Sequence, residues 1–162
     1  MLFHLTVTER TELTEMLRGL TDDPRAQKMR EYIQHGHVTT YEHSLRVAKT
    51  AFWLCRRFHW RVDEASLVRG AFLHDFYLYD WHDPTRTERW HGFTHPFKAL
   101  RNADAAFALN EIERDIIANH MWPLTLRHMP RSREAAVVCL ADKLCSTQET
   151  VLERGPRPAY AK

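Results

Sequence analysis

Apolar residues recur at helical spacing along most of this chain, and again and again a polar residue able to titrate or to ligate interrupts the apolar stripe. Residues 64–75 show it best. Leu67, Val68 and Ala71 line one helical face behind an Asp63 cap, and His74 and Asp75 follow on or beside that face. Two adjacent polar groups on an apolar surface are costly to bury unless something satisfies them there. A chain patterned in this way is restricted to helices packed around a core that has a use for polar groups.

The other helices repeat the pattern. Residues 7–19 are expected to form a short amphipathic helix that opens on Thr6 or Thr8 and stops at Gly19, and a second helix is expected from Asp23-Pro24 to about Gln34. His35-Gly36-His37 then falls at a glycine helix end, where exposed histidines meet the carbonyl terminus, so this pair stays outside the candidate site. Thr39 or Thr40 caps a long helix whose stripe is Val47, Ala48, Ala51, Phe52, Leu54, Cys55 and Phe58, with His43 on the same face. Residues 76–94 are rich in aromatic side chains, contain Pro84 and Gly92, and are suited to a lid. Thr94 and Pro96 are expected to open a helix with His95, Ala99, Leu100, Ala103, Ala106 and Phe107 inward. Asn110 opens a shorter one carrying Ile112, Ile116, Ile117 and His120, which Pro123 ends. The last helix is expected over about Ser132–Glu153 with Ala135, Val138, Ala141, Asp142, Leu144 and Cys145 facing in, and residues 155–162 as a loose tail.

His43, His74, Asp75, His95, His120 and Asp142 therefore come from five helices, each on or beside an apolar stripe. One such residue is commonly a hydrogen-bonded core group. Six are more economically explained by convergence on metal, because an ion removes the burial penalty of imidazole and carboxylate together. The eleven histidines of the chain agree with this. Mixed nitrogen and oxygen donors favour iron, manganese, cobalt, nickel or zinc over magnesium or calcium. Cys55, Cys139 and Cys145 form no Cys-x-x-Cys pair and read as buried thiols of a reducing, cytoplasmic compartment. A net charge of +2 is too small to suggest a nucleic-acid polymer as partner, and neither a signal peptide nor a membrane-spanning run is visible. With no repeat or linker, residues 1–162 read as one domain, with 1–34 as N-terminal helices ahead of a core over about 35–150. Nothing in the sequence bears on oligomeric state.

His43, the adjacent pair His74-Asp75 and the late Asp142, in that order on helices, resemble the HD-domain superfamily of metal-dependent phosphohydrolases over roughly residues 35–150. The resemblance implies a compact all-α bundle of about six to seven helices and a hydrolase of a small-molecule phosphate ester or anhydride, with a nucleotide as the expected substrate. His95 and His120 match the additional histidines of the subset that holds two metals. On that pattern Asp75 bridges the ions, His43, His74 and Asp142 complete one, His95 and His120 complete the other, and Asp75 with His74 carries catalysis. The Gly-Tyr-Pro extension of the branch that degrades cyclic dinucleotides is missing, so cyclic dinucleotides are not expected. Two divalent ions against two carboxylates leave a positive centre suited to phosphate oxygens and to a hydroxide held between the metals. Arg46, Lys98, Lys143 and His82 are the candidate substrate contacts. Two other functions fit the resemblance: a di-iron oxygenase of small polar alcohols or phosphonates with the same six ligands, and a non-catalytic module that keeps the metal while binding a nucleotide or a partner.

Overall fold

The computed structural model describes residues 4–83 and 90–152. Its α-helices are α1 (Val7–Met16), α2 (Pro24–Gln27), α3 (Thr40–Phe58), α4 (Glu64–Leu73), α5 (His91–Ala106), α6 (Glu111–Asn119) and α7 (Arg133–Leu152). A two-stranded antiparallel hairpin of β1 (Ile33–His35) and β2 (Val38–Thr39) precedes α3. The chain is thus an all-α fold, as its periodicity predicts.

The helix starts are written in the capping residues. Thr6, Thr39 and Asn110 each accept from the backbone N–H three residues on, and Glu9, Glu42 and Glu113 reach back to the capping residue's own N–H. Asp63 caps α4 through Ser66 N. Packing then follows the apolar stripes: α3 lies against α4 and α7, α4 against α6, and α6 against both α5 and α7. Ala48, Ala51, Ala71, Ala135 and Ala141 are fully buried among Phe52, Leu67, Val68, Phe72, Ile116, Ile117 and Val138. Small residues at these contacts let the helix axes approach, and Gly70 takes this furthest: a Cβ built there would sit 2.6 Å from Ile116 Cδ1.

Four local expectations are corrected. The second helix stops at Gln27, passes through a single 3-10 turn (Lys28–Glu31) and gives way to β1. His35-Gly36-His37 is consequently a hairpin turn, with Gly36 at φ +55°, rather than a helix end. Here Thr40 N donates to Tyr32 O, which ties the base of the hairpin and overrides helical propensity. Helix α5 starts at His91, because Thr94 bonds back to Trp90 O through both its N–H and its hydroxyl instead of capping. Gly92 and Phe93 thus belong to a helix, and Pro96 sits inside it. Phe58 and Leu144, expected on buried stripes, are 56% and 40% exposed. Of the proposed lid segment, Phe76 and Tyr77 are buried in the core, and 84–89 lie outside the described residues, as do Glu153 and the 155–162 tail. No helix among the described residues is long and apolar enough to cross a membrane.

Candidate metal centre

His74 and His120 occupy the residue immediately after α4 and α6, and each ring turns back on its own helix. His74 Nδ1 donates to Ala71 O at 2.7 Å and His120 Nδ1 to Ile117 O at 2.9 Å. His95 does the same within α5, where its Nδ1 donates to His91 O at 2.9 Å. His43 Nδ1 donates to Glu149 Oε2 on α7 at 2.8 Å. A carbonyl or carboxylate oxygen only accepts, so in all four rings Nδ1 carries a proton and Nε2 is the atom turned toward the cluster, where it offers a lone pair to a metal whenever it is itself unprotonated.

The four Nε2 atoms meet around Asp75 and Asp142. Asp142 Oδ1 is 3.1 Å from His43 Nε2 and 3.8 Å from His74 Nε2. Asp75 divides its oxygens: Oδ2 lies 3.3 Å from His74 Nε2 and 3.8 Å from His43 Nε2, while Oδ1 lies 3.1 Å from His95 Nε2 and 3.5 Å from His120 Nε2. All six side chains are buried. His43, His74 and Asp142 form one group compact enough to hold an ion, and His74, Asp75 and His120 form another.

The electrostatics favour positive charge at the first group. Burial works against protonating His43, yet its bonds to Asp142 and Glu149 outweigh burial and lift its pKa to about 10. Asp142 is pulled below the carboxylate range by His43 and His74 against the opposing effect of burial, and Asp75 is likewise pulled well below it by His74 and His95. His120 behaves in the opposite way. Burial, then the neighbouring His74 and His95, push it down to about 3, so its imidazole refuses a proton and keeps its lone pair.

The donor set fits a divalent transition metal on its own chemistry. Two buried atoms of the cluster, His74 Nε2 and Asp75 Oδ1, have no hydrogen-bond partner among the described residues. His95 Nε2 and His120 Nε2 face each other at 2.9 Å, although with both Nδ1 protonated neither neutral ring has a hydrogen to share. A cation relieves both arrangements. Helices α4 and α6 also end at the cluster and bring the negative ends of their dipoles to it.

The six residues singled out for metal thus converge, and the four candidate substrate contacts spread around them. Arg46 pairs with Glu149 Oε1 at 3.3 Å, behind His43. Lys143 Nζ donates to the carbonyls of His120 and Cys139 at 3.2 Å each. Lys98 Nζ lies 4.9 Å from the centre of the Tyr79 ring. His82 packs on Trp81 at 3.7 Å between centroids and lies 3.5 Å from Asp80 Oδ1. Trp81 stacks in turn on His91, and His91 on His95, so an aromatic wall leads from His82 to the cluster.

Two contributors escaped sequence reasoning. Glu149 is 1% exposed and stands seven residues after Asp142, with Ser146 between them donating to Asp142 Oδ1 at 3.1 Å; that spacing was a readable sign of a shared face. Gln34 donates to Asp75 Oδ2 at 2.6 Å, and no periodicity marks it because a hairpin strand, not the expected helix, carries it.

Four imidazoles and two carboxylates brought to one buried point from five helices define a site with the donor set to hold divalent metal. Comparison with known families agrees: residues 40–147, about two thirds of the chain, match the HD domain, and the chain belongs to the HD-domain family. The matched span contains all six cluster residues; Gln34 and Glu149 fall outside it. No curated protein and no solved structure matches the chain.

Proposed function

We propose that the protein is a metal-dependent phosphohydrolase that cleaves a phosphate ester or anhydride of a small molecule, with His43, His74, Asp75 and Asp142 around one ion and His95, His120 and Asp75 around a second. The observation that carries this reading is the division of the Asp75 carboxylate, one oxygen toward each half of a cluster whose four Nε2 atoms all point inward. A divalent transition metal bound there supplies Lewis acidity to a phosphoryl oxygen and acidifies water near neutral pH. The chain's own groups do the rest. Asp75 and Asp142 provide two negative charges, while the Glu149 charge is matched by Arg46, so two divalent ions leave an excess of two positive charges in a buried site. That excess favours a phosphate dianion. Lys98 and His82, on the aromatic side of the cluster, are assigned to substrate; Arg46 and Lys143 hold the site's own groups. The three unpaired, buried thiols support a cytoplasmic setting.

The test is anaerobic phosphate release from a panel of nucleotides and sugar phosphates by protein loaded with manganese, iron, cobalt, nickel or zinc, with ion content measured in parallel. Two ions per chain in the wild type, about one in His120→Ala, and loss of turnover in Asp75→Ala are expected. Substrate-dependent oxygen uptake without phosphate release from any panel member would replace the hydrolase by an oxygenase.

A further inference from the structure

The carboxylate on which the two-ion arrangement depends is also gripped from the N-terminal hairpin, at the oxygen that faces His74 and His43. Gln34 is 7% exposed, and its Nε2 donates to Asp75 Oδ2 at 2.6 Å. Chemistry fixes which end of the amide does this, because a carboxylate only accepts; the amide oxygen must then turn away. It turns to Tyr77, whose hydroxyl donates to Gln34 Oε1. The Tyr77 oxygen lies 3.2 Å from Thr40 Oγ1, and Thr40 also reaches Tyr32 O at 3.2 Å. The main chain beyond Asp75 is pinned as well: Asn102 Nδ2 donates to the carbonyls of Phe76 and Tyr77 at 3.1 and 2.9 Å.

A glutamine whose only task was to satisfy a buried carboxylate would be part of a set covering both oxygens. Here one oxygen is held and Oδ1 has no hydrogen-bond partner, facing His95 and His120. We propose that Gln34, backed by Tyr77 and Thr40, is a positioning residue: it sets the rotation of the Asp75 carboxylate so that each oxygen serves one half of the cluster. The inference rests on the two-ion reading above. It adds to that reading a dependence on the N-terminal hairpin, outside the span matched to the HD domain.

The experiment is a Mn(II) titration of wild type, Gln34→Met and Tyr77→Phe, followed by electron paramagnetic resonance, with thermal unfolding of each chelator-treated protein measured alongside. Methionine keeps the length and removes both polar ends. Tyr77→Phe keeps Gln34 and removes only its backing, so it reports on the clamp even if Gln34→Met folds poorly. Gln34→Met is expected to retain the ion of His43, His74 and Asp142, to bind the second about 10-fold or more weaker, and to lose the exchange-coupled pair signal; Tyr77→Phe should shift the same way by less. Lower melting temperatures with both Mn(II) affinities and the coupled signal unchanged would overturn the proposal and leave Gln34 a structural residue. Wild type that binds no Mn(II) would overturn the metal reading itself, and this inference with it.

Discussion

Glu149 offers the sharpest quantitative test of how the centre is held. Its carboxylate accepts from His43 Nδ1 at 2.8 Å in a site where His43 has no exposure to solvent. Glu149→Leu leaves that N–H buried and unpaired, whereas Arg46, about one third exposed, can turn to water. The cost therefore falls on His43. A charge-assisted hydrogen bond of this kind contributes about 1.5–3 kcal/mol. Groups that orient metal ligands typically contribute about 10–100-fold in affinity, or roughly 1.4–2.8 kcal/mol at about 1.4 kcal/mol per decade. The two ranges agree, so Glu149→Leu is expected to weaken the His43 ion by about 30-fold. Glu149→Gln, which keeps an acceptor oxygen without the charge, should weaken it by about 10-fold or less. Competition against a fluorescent chelator at pH 7.5, with the ion count confirmed by elemental analysis, measures both. Affinity of the leucine variant within about twofold of wild type would refute the argument that the Nδ1 contact governs the ligand.

Gly70→Ala should destabilise the fold although alanine is the better helix former. The new Cβ meets Ile116 at Cβ and Cγ2, 3.1 and 3.2 Å away, as well as at Cδ1, so α4 and α6 must part. Overpacking of about 1–3 kcal/mol against a propensity gain of about 1 kcal/mol leaves a net loss near 1 kcal/mol, or about 2–4 °C by calorimetry. A higher melting temperature would contradict the close approach. In chelator, the protein should lose stability between pH 7 and 10. The folded-state pKa of His43, lifted to about 10 from its ordinary 6.5, contributes stability that is complete below 6.5 and lost as pH rises through 10. A melting temperature that stays flat over that window in a fluorimetric scan would count against the His43–Asp142–Glu149 contact.

The six cluster residues were legible because each sits three, four, seven or eight positions from buried apolar residues, and helical spacing survives the loss of all other context. Starts marked by Thr6, Asp63 and Asn110 were legible for the same local reason. Features set by partners distant in sequence were not. The Thr94-Pro96 pair imitates a helix opening, and the bonds from Thr94 N and Oγ1 to Trp90 O show the helix already running. That earlier start supplies the His91 carbonyl that orients His95. Gln34 could not be found by any helical count, since its neighbours Ile33 and His35 alternate across a hairpin instead of following a turn of 3.6. Phe58 and Leu144 fit their stripes by phase yet stay partly exposed, and Phe58 packs on the Trp53 and Trp60 rings instead of on the core.

The span between His43 and Asp142 has a consequence for how the chain is held closed. The two residues are 99 positions apart, so an ion gripped by both shuts a loop containing most of the molecule. A covalent crosslink closing a loop of about 100 residues withdraws about 4.7 kcal/mol of conformational freedom from the unfolded chain in the loop-entropy model. An ion coordinated by both residues would act in the same manner, and reversibly. A metal held there would thus tie α3 to α7 much as a disulfide would, in a chain whose three cysteines are free thiols.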